Sequence, residues 1–194
     1  LVAWESETLQ TLSGGRFELG LGGGRPGAEA DAAALGAEFG TPGDRLRRVG
    51  AIIDAVRERP DPPRILVAAS KPKMLALAAE KADTIALGLA PSTTEDELAA
   101  TVGQIGRQDV ELHLNTSAVA PTIDAISDRV SMMVGGDAKA MAAAGGIAFL
   151  IGTPEQIAEK LLRRRAELGI SYVGVSGLDM EFFAEVIPLL RKAG

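Results

Sequence analysis

The sequence predicts an α/β fold built from parallel strand–helix units. Three observations point there. Short apolar runs of strand length alternate with longer helical patterns, the runs are apolar on both faces, and the composition is that of an ordinary globular domain. The strand candidates are Phe17–Leu21, Ile65–Ala68, Thr84–Leu87, Val110–Leu114 and Tyr172–Val175. Strands that carry apolar side chains on both faces are buried on both faces, as parallel strands under helices are. Helical patterns lie near Arg45–Arg57, Lys73–Lys81, Glu95–Ile105, Ile123–Met133 and Pro154–Leu168, and strict alternation of the two kinds argues for βα units. The chain has 194 residues, 46% of them hydrophobic and 24% charged, which suffices for one domain with a sizeable core.

The chain opens on "LVAWESETLQTL", which reads as the middle of a helix without a cap. It starts at Leu1 rather than Met, so the natural N-terminus is expected upstream. Trp4 is expected to pack. The first strand, with Glu18 paired or solvated on its outer face, runs into Gly22, Gly23 and Gly24. Glycine lets the backbone turn tightly and lets a ligand approach it. A Walker A loop is excluded, because no Gly-Lys-Ser/Thr follows. Gly22, Gly24 and Gly27 match G-x-G-x-x-G literally, but Pro26 interrupts the match and "AEADAAALGAEFG" lacks the apolar helix of a dinucleotide-binding unit. The glycines suit either a flexible surface loop or, the reading preferred here, a strand-end loop lining a ligand site.

The second strand ends in Ala68, Ala69 and Ser70, and the helix after it begins with Lys71, Pro72 and Lys73. A helix N-terminus carries partial positive charge and repels cations. Small residues at the strand end, a serine hydroxyl, free backbone amides and two lysines together suit a phosphate. The alternative is a Ser-capped helix whose lysines extend into water. Further on, "VELHLNTSAV" places His113 near the carboxyl end of a strand, the end that faces the active site in a barrel. It suits a donor to a substrate or cofactor carbonyl, or equally a hydrogen-bonded packing residue; Asn115, Thr116 and Ser117 follow with polar groups. Met132, Met133 and Met141 read as core or subunit-contact residues. In "GTPEQIAEKLLRRRAELG", Thr153 caps, Pro154 takes the first position and Gln156 completes a capping box. Ile157, Leu161, Leu162 and Leu168 form the expected buried stripe, and Gly169 ends the helix.

Composition narrows the function. The net charge is −6 with no basic cluster, which speaks against nucleic acid as a partner. There is no cysteine and one histidine, so thiolate chemistry and a histidine-rich metal site are excluded, and no metal is expected. No apolar run approaches the roughly 20 residues of a membrane span, and no signal peptide is visible. A cytoplasmic location is expected.

Three stretches, "LQTLSGGRFELGLGGG", "PPRILVAASKPKMLALAAEKADTIALG" and "FLIGTPEQIAEKLLRRRAELGISYVGVS", resemble the luciferase-like monooxygenase superfamily, most closely its branch of oxidoreductases dependent on coenzyme F420, a deazaflavin. The resemblance covers most of the chain, and Leu12–Gly22 is its most specific part. It implies a TIM (β/α)8-type barrel, incomplete at the N-terminal side, with Phe17–Leu21 as the fourth strand and Tyr172–Val175 as the eighth. Residues 1–194 would then be one barrel domain, the C-terminal two-thirds of a full barrel. It implies hydride transfer to or from a small organic substrate, with the cofactor phosphate on Ala68, Ala69, Ser70 and the helix start, Lys71 or Lys73 nearby, and Gly22 and Gly23 lining the same site. His113 is the one catalytic candidate. An FMN-dependent monooxygenase is the alternative within the superfamily, and a non-catalytic flavin-binding remnant the alternative outside enzymes. A homo-oligomer is expected. Ala68 and Ala69 depart from the Gly-Gly that relatives often carry before the phosphate turn, and "AVRERPDPPR" replaces a longer segment. The first three strands of the family barrel, which hold part of the isoalloxazine pocket, are missing from this sequence.

Overall fold

The structure is a computed structural model and describes residues 1–25, 27–106 and 109–192; Pro26, which interrupts the glycine motif, lies outside them. The chain divides into two compact units, Leu1–Ala86 and Leu87–Gly194.

The first unit runs α1 (Val2–Ser13), β1 (Glu18–Gly22), α2 (Glu29–Ala34), α3 (Pro42–Arg57), β2 (Arg64–Ala69), α4 (Pro72–Lys81) and β3 (Thr84–Leu87, whose last residue opens the second unit). The strand order is β1-β2-β3. β1 and β2 pair in parallel with Leu21 opposite Val67 and Gly22 opposite Ala68. Thr41 and Asp44 form a reciprocal capping box with Pro42 at the first position, which sets the start of α3 three residues before the predicted Arg45. Ile53 and Val56 of α3, Ile65 and Val67 of β2, Leu75 and Ala78 of α4 and Ile85 of β3 are all buried. Gly50 lets the two helices approach: a Cβ there would lie 3.6 Å from Leu77. Asp83 ties the layers together, accepting from the Ile65 amide at 2.7 Å and from the Arg57 guanidinium at 2.7 Å. Glu18 lies 3.8 Å from Arg64, the pairing expected of it. Trp4 corrects the sequence reading. It is 63% exposed, because α1 turns its polar Ser6 and Gln10 inward.

The second unit runs α5 (Glu95–Val102), β4 (Glu111–Asn115), β5 (Ala118–Ala120), α6 (Asp128–Val134), α7 (Ala138–Ala143), β6 (Phe149–Ile151), α8 (Pro154–Leu168), β7 (Ile170–Gly174) and α9 (Met180–Lys192). β4 pairs with β7 in parallel, and β5 with β6 in parallel. All five predicted strands exist, displaced by one or two residues at most ends. The three-residue strands β5 and β6 are additions. The helix expected over Ile123–Met133 is instead a short 3-10 turn, Ile123–Ala125, followed by α6. Ser127 explains the break: its hydroxyl accepts from the Arg129 amide at 3.3 Å and starts a new helix. α8 has the predicted caps, Thr153 with Gln156 at one end and Gly169 (φ 71°) at the other. Its buried stripe is Ile157, Ala158, Leu161 and Arg164; Leu162 and Leu168 are only half-buried. Met132 and Met133 are exposed, against the core reading, whereas Met141 packs against the cluster of Ala118, Ile126, Val130 and Phe149.

Candidate functional site

Seven of the predicted site residues meet in the first unit, at the carboxyl ends of β1 and β2. The parallel register sets Gly22 beside Ala68, and a Cβ on Gly22 would sit 3.7 Å from the Ala68 methyl. On Gly23 it would sit 3.0 Å from the Met74 terminal methyl, so the first turn of α4 lies against the loop that leaves β1. Gly24 has φ 82°, and a side chain there would meet the Phe39 ring at 2.8 Å. That ring lies under the Arg45 guanidinium, 4.2 Å from its centroid. Phe39 thus packs between Gly24 and Arg45 of α3. Ala69 is buried, Ala68 is exposed and Ser70 is half-buried.

The start of α4 differs from those of α3, α5 and α8. α3, α5 and α8 each have a capping box and an acidic residue in the first turn. α4 has neither: its N-cap is Lys71, no side chain caps it, and its first turn holds no acid. Ser70, the cap in the alternative of a Ser-capped helix, stands one residue too early. The Lys71 carbonyl accepts from the Met74 and Leu75 amides at 3.0 and 2.9 Å. Pro72 has no N–H, so the Lys73 amide is the open donor of the turn. Lys71 and Lys73 are exposed, and among the described residues no ion pair engages either one. An open amide, two unpaired cations, a hydroxyl and small neighbouring residues fit an anionic group such as a phosphate.

His113 lies in the second unit, on β4, and is 8% exposed. Its ring meets the edge of Tyr172 at a centroid distance of 4.5 Å. His113 pairs in register with Tyr172, and Asn115 with Gly174, so these four residues share one face of the β4–β7 pair. The opposite face carries Val173, which packs against Leu150, Ile157, Leu161 and Val186. A Cβ on Gly174 would lie 3.0 Å from His113 Nε2 and overlap Asn115 Oδ1, so this glycine makes room for two polar side chains. Sequence reading missed Tyr172 and Gly174 as partners of His113. The available signal was a glycine inside a strand, which marks close approach of other groups to the backbone. Thr116 spends its hydroxyl on the Gly174 carbonyl at 3.0 Å. Among the described residues no cluster could hold a metal ion, and no helix is long and apolar enough to cross a membrane.

The family model for luciferase-like monooxygenases matches residues 1–172. The chain belongs to the luciferase-like monooxygenase family. Its fold recurs in solved structures. The EDTA monooxygenase of Chelativorans sp. BNC1 is similar at 14% identity with a TM-score of 0.71, over 100% of this chain and 70% of that one. An F420-dependent secondary alcohol dehydrogenase, solved with an F420-acetone adduct, is similar at 16% identity and a TM-score of 0.67, over 98% of this chain and 74% of that one. The coenzyme F420-dependent tetrahydromethanopterin reductase of Methanopyrus kandleri is similar at 16% identity and a TM-score of 0.59, over 97% of this chain and 79% of that one. A comparison by sequence with curated proteins finds no match. Family and fold class thus agree with the resemblance read from the sequence: an α/β chain of parallel strands like the family's TIM barrels.

Proposed function

We propose that this luciferase-like protein is an oxidoreductase that moves a hydride to or from a small organic substrate with coenzyme F420. One observation carries the reading: α4 begins with two lysines that no ion pair among the described residues engages, and with no acid in its first turn, next to the small residues that end β1 and β2. The Lys73 amide and the Ser70 hydroxyl donate to the cofactor's phosphate, and Lys71 and Lys73 offset its charge. Gly22, Gly23, Ala68 and Ala69 keep that wall low enough for the group to reach the backbone. The bound deazaflavin supplies the hydride chemistry, while the protein supplies position and electrostatics. His113 is the residue of this chain suited to donate to a substrate oxygen, with Asn115 beside it. The reading includes a cytoplasmic homo-oligomer with neither nucleic acid nor membrane as a partner.

FMN in place of the deazaflavin is the second reading. It is favoured by the family's description as monooxygenases and by the similarity, at 16% identity, to a riboflavin lyase solved with modified FMN. Titration of the apoprotein with coenzyme F420 and with FMN tests both. Tighter binding of coenzyme F420, with hydride exchange and no oxygen consumption, is the expected result. Tighter binding of FMN replaces the proposal with the monooxygenase. Binding of either without turnover of any substrate leaves the non-catalytic reading.

A further inference from the structure

The second unit contains a cavity of about 280 Å³ that the proposed cofactor site does not use, close to the lower end of the roughly 300–1,000 Å³ typical of ligand pockets. Its floor is apolar and buried, formed by Ala118, Ala120, Ile126 and Val130. Met133 and Leu178 line it as well and are largely exposed, so part of its apolar lining faces solvent. The polar groups are Asp179 and the serines 117, 127 and 176, with Arg129 from the first turn of α6.

Asp179, Ser127 and Ser176 are held by backbone amides. One carboxylate oxygen of Asp179, Oδ2, accepts from the Val119 amide at 3.1 Å, which fixes the group against β5 and leaves Oδ1 for another donor. Ser127 and Ser176 cap the turns that follow them, each hydroxyl oxygen accepting one backbone amide, from Arg129 at 3.3 Å and from Leu178 at 3.2 Å. A hydroxyl oxygen has a second lone pair to offer. The cavity thus presents a carboxylate oxygen and serine oxygens above an apolar floor. Arg129 is exposed and makes no ion pair with Asp179 among the described residues, so its charge is screened by water, whereas Asp179 is partly withdrawn from it.

We infer that this cavity binds a small organic cation, a primary ammonium carried on a short apolar body. The three donors of an ammonium match the acceptors in the cavity, and the body covers Met133 and Leu178. Burial also raises the Asp179 pKa above the usual carboxylate value, the condition that a bound cation relieves. The inference does not depend on which cofactor the first unit takes, since the binding is read without cofactor.

Isothermal titration of the full chain with n-hexylammonium, n-hexanol and n-hexanoate tests it. Saturable binding of n-hexylammonium, weaker binding of n-hexanol and none of n-hexanoate are expected. Asp179→Asn keeps an oxygen for the Val119 amide and should weaken n-hexylammonium roughly tenfold or more, the size of one charge-assisted hydrogen bond. Arg129→Ala should leave the affinity equal or higher. Ala125→Leu fills the cavity from its exposed wall while leaving Asp179 in the sequence, and should abolish binding while far-UV circular dichroism stays that of the parent. The inference is overturned if n-hexanoate binds as well as n-hexylammonium, or if either Asp179→Asn or Ala125→Leu binds like the parent.

Discussion

Replacing Glu95 by Ala is expected to destabilise the protein more than replacing its partner Arg164 by Met. Arg164 lies on the buried face of α8 with its side chain 3% exposed, whereas that of Glu95, at the start of α5, is 38% exposed. The guanidinium donates to both carboxylate oxygens, at 2.6 and 3.2 Å, and to the Ile147 carbonyl at 2.9 Å. Lys160 adds a contact to Glu95 at 3.2 Å. Removing Glu95 leaves a buried cation with one neutral acceptor. Breaking a buried pair in this way costs about 3–5 kcal/mol, and the exposure of Glu95 puts the expected cost near the lower end, about 3 kcal/mol. Removing Arg164 leaves a carboxylate that still has Lys160 and water. The loss is then one bond to the Ile147 carbonyl plus the net worth of a half-exposed pair, about 1–2 kcal/mol, and Met fills most of the vacated volume. Urea unfolding measures both as a shift in midpoint at constant slope. Equal costs, or a larger cost for Arg164→Met, would refute the reasoning. The same pair sets an acid limit. Burial alone would raise the Glu95 pKa, but the Arg164 hydrogen bond and the charges of Arg164 and Lys160 outweigh it and hold the carboxyl below its usual 4.5. Its contribution is therefore complete above the unfolded value and is lost as pH falls through the lower folded value. Glu95→Ala should flatten that part of the stability profile.

Alanine in place of Lys71 or Lys73 should weaken cofactor binding roughly tenfold where the lysine faces the phosphate, while the melting temperature of the apoprotein stays level or rises, since a repelled cation is removed from a helix start. If both single variants titrate like the parent, the lysines are ordinary solvated side chains. His113→Ala should leave cofactor affinity unchanged in a folded protein, and abolition of binding would overturn the placement of the phosphate on α4. Gly174→Ala should cost about 1–3 kcal/mol by overpacking, because Asn115 is exposed and can swing into water whereas the His113 ring is buried against Tyr172; an unchanged unfolding midpoint would contradict this. Gly23→Ala should fold normally, since only the flexible end of Met74 stands in its way, yet it should weaken cofactor binding by narrowing the approach to the α4 amides, which titration of the apoprotein measures.

The ends of α8 and most strands were legible because their causes lie within a few residues. Thr153 reaches the Gln156 amide at 3.4 Å and Gln156 reaches back to the Thr153 amide at 2.9 Å, so the start of α8 is written in four adjacent residues. The stripe of the same helix was legible only in part. Arg164 falls on the buried side at helical spacing from Ile157 and Leu161, and nothing local predicts that a charged residue can stay there. The breaks around β5 and β6 escaped notice because three-residue strands carry too short a pattern to separate from the loops around them.

The sequence by itself determined the alternation of strands and helices, the caps of α8, the family resemblance and the placing of two lysines at a helix start, all from patterns contiguous along the chain. Only the tertiary structure decided the inward turn of the polar side of α1, the burial of Arg164 and the space beside Gly174 that His113 and Asn115 share. Each depends on partners distant in the chain: Glu95 and Arg164 are 69 residues apart, and Thr116 and Gly174 are 58 apart. A buried charge or a crowded glycine is stable only when the opposing surface supplies the acceptor or the room, and that surface exists only after the chain has folded.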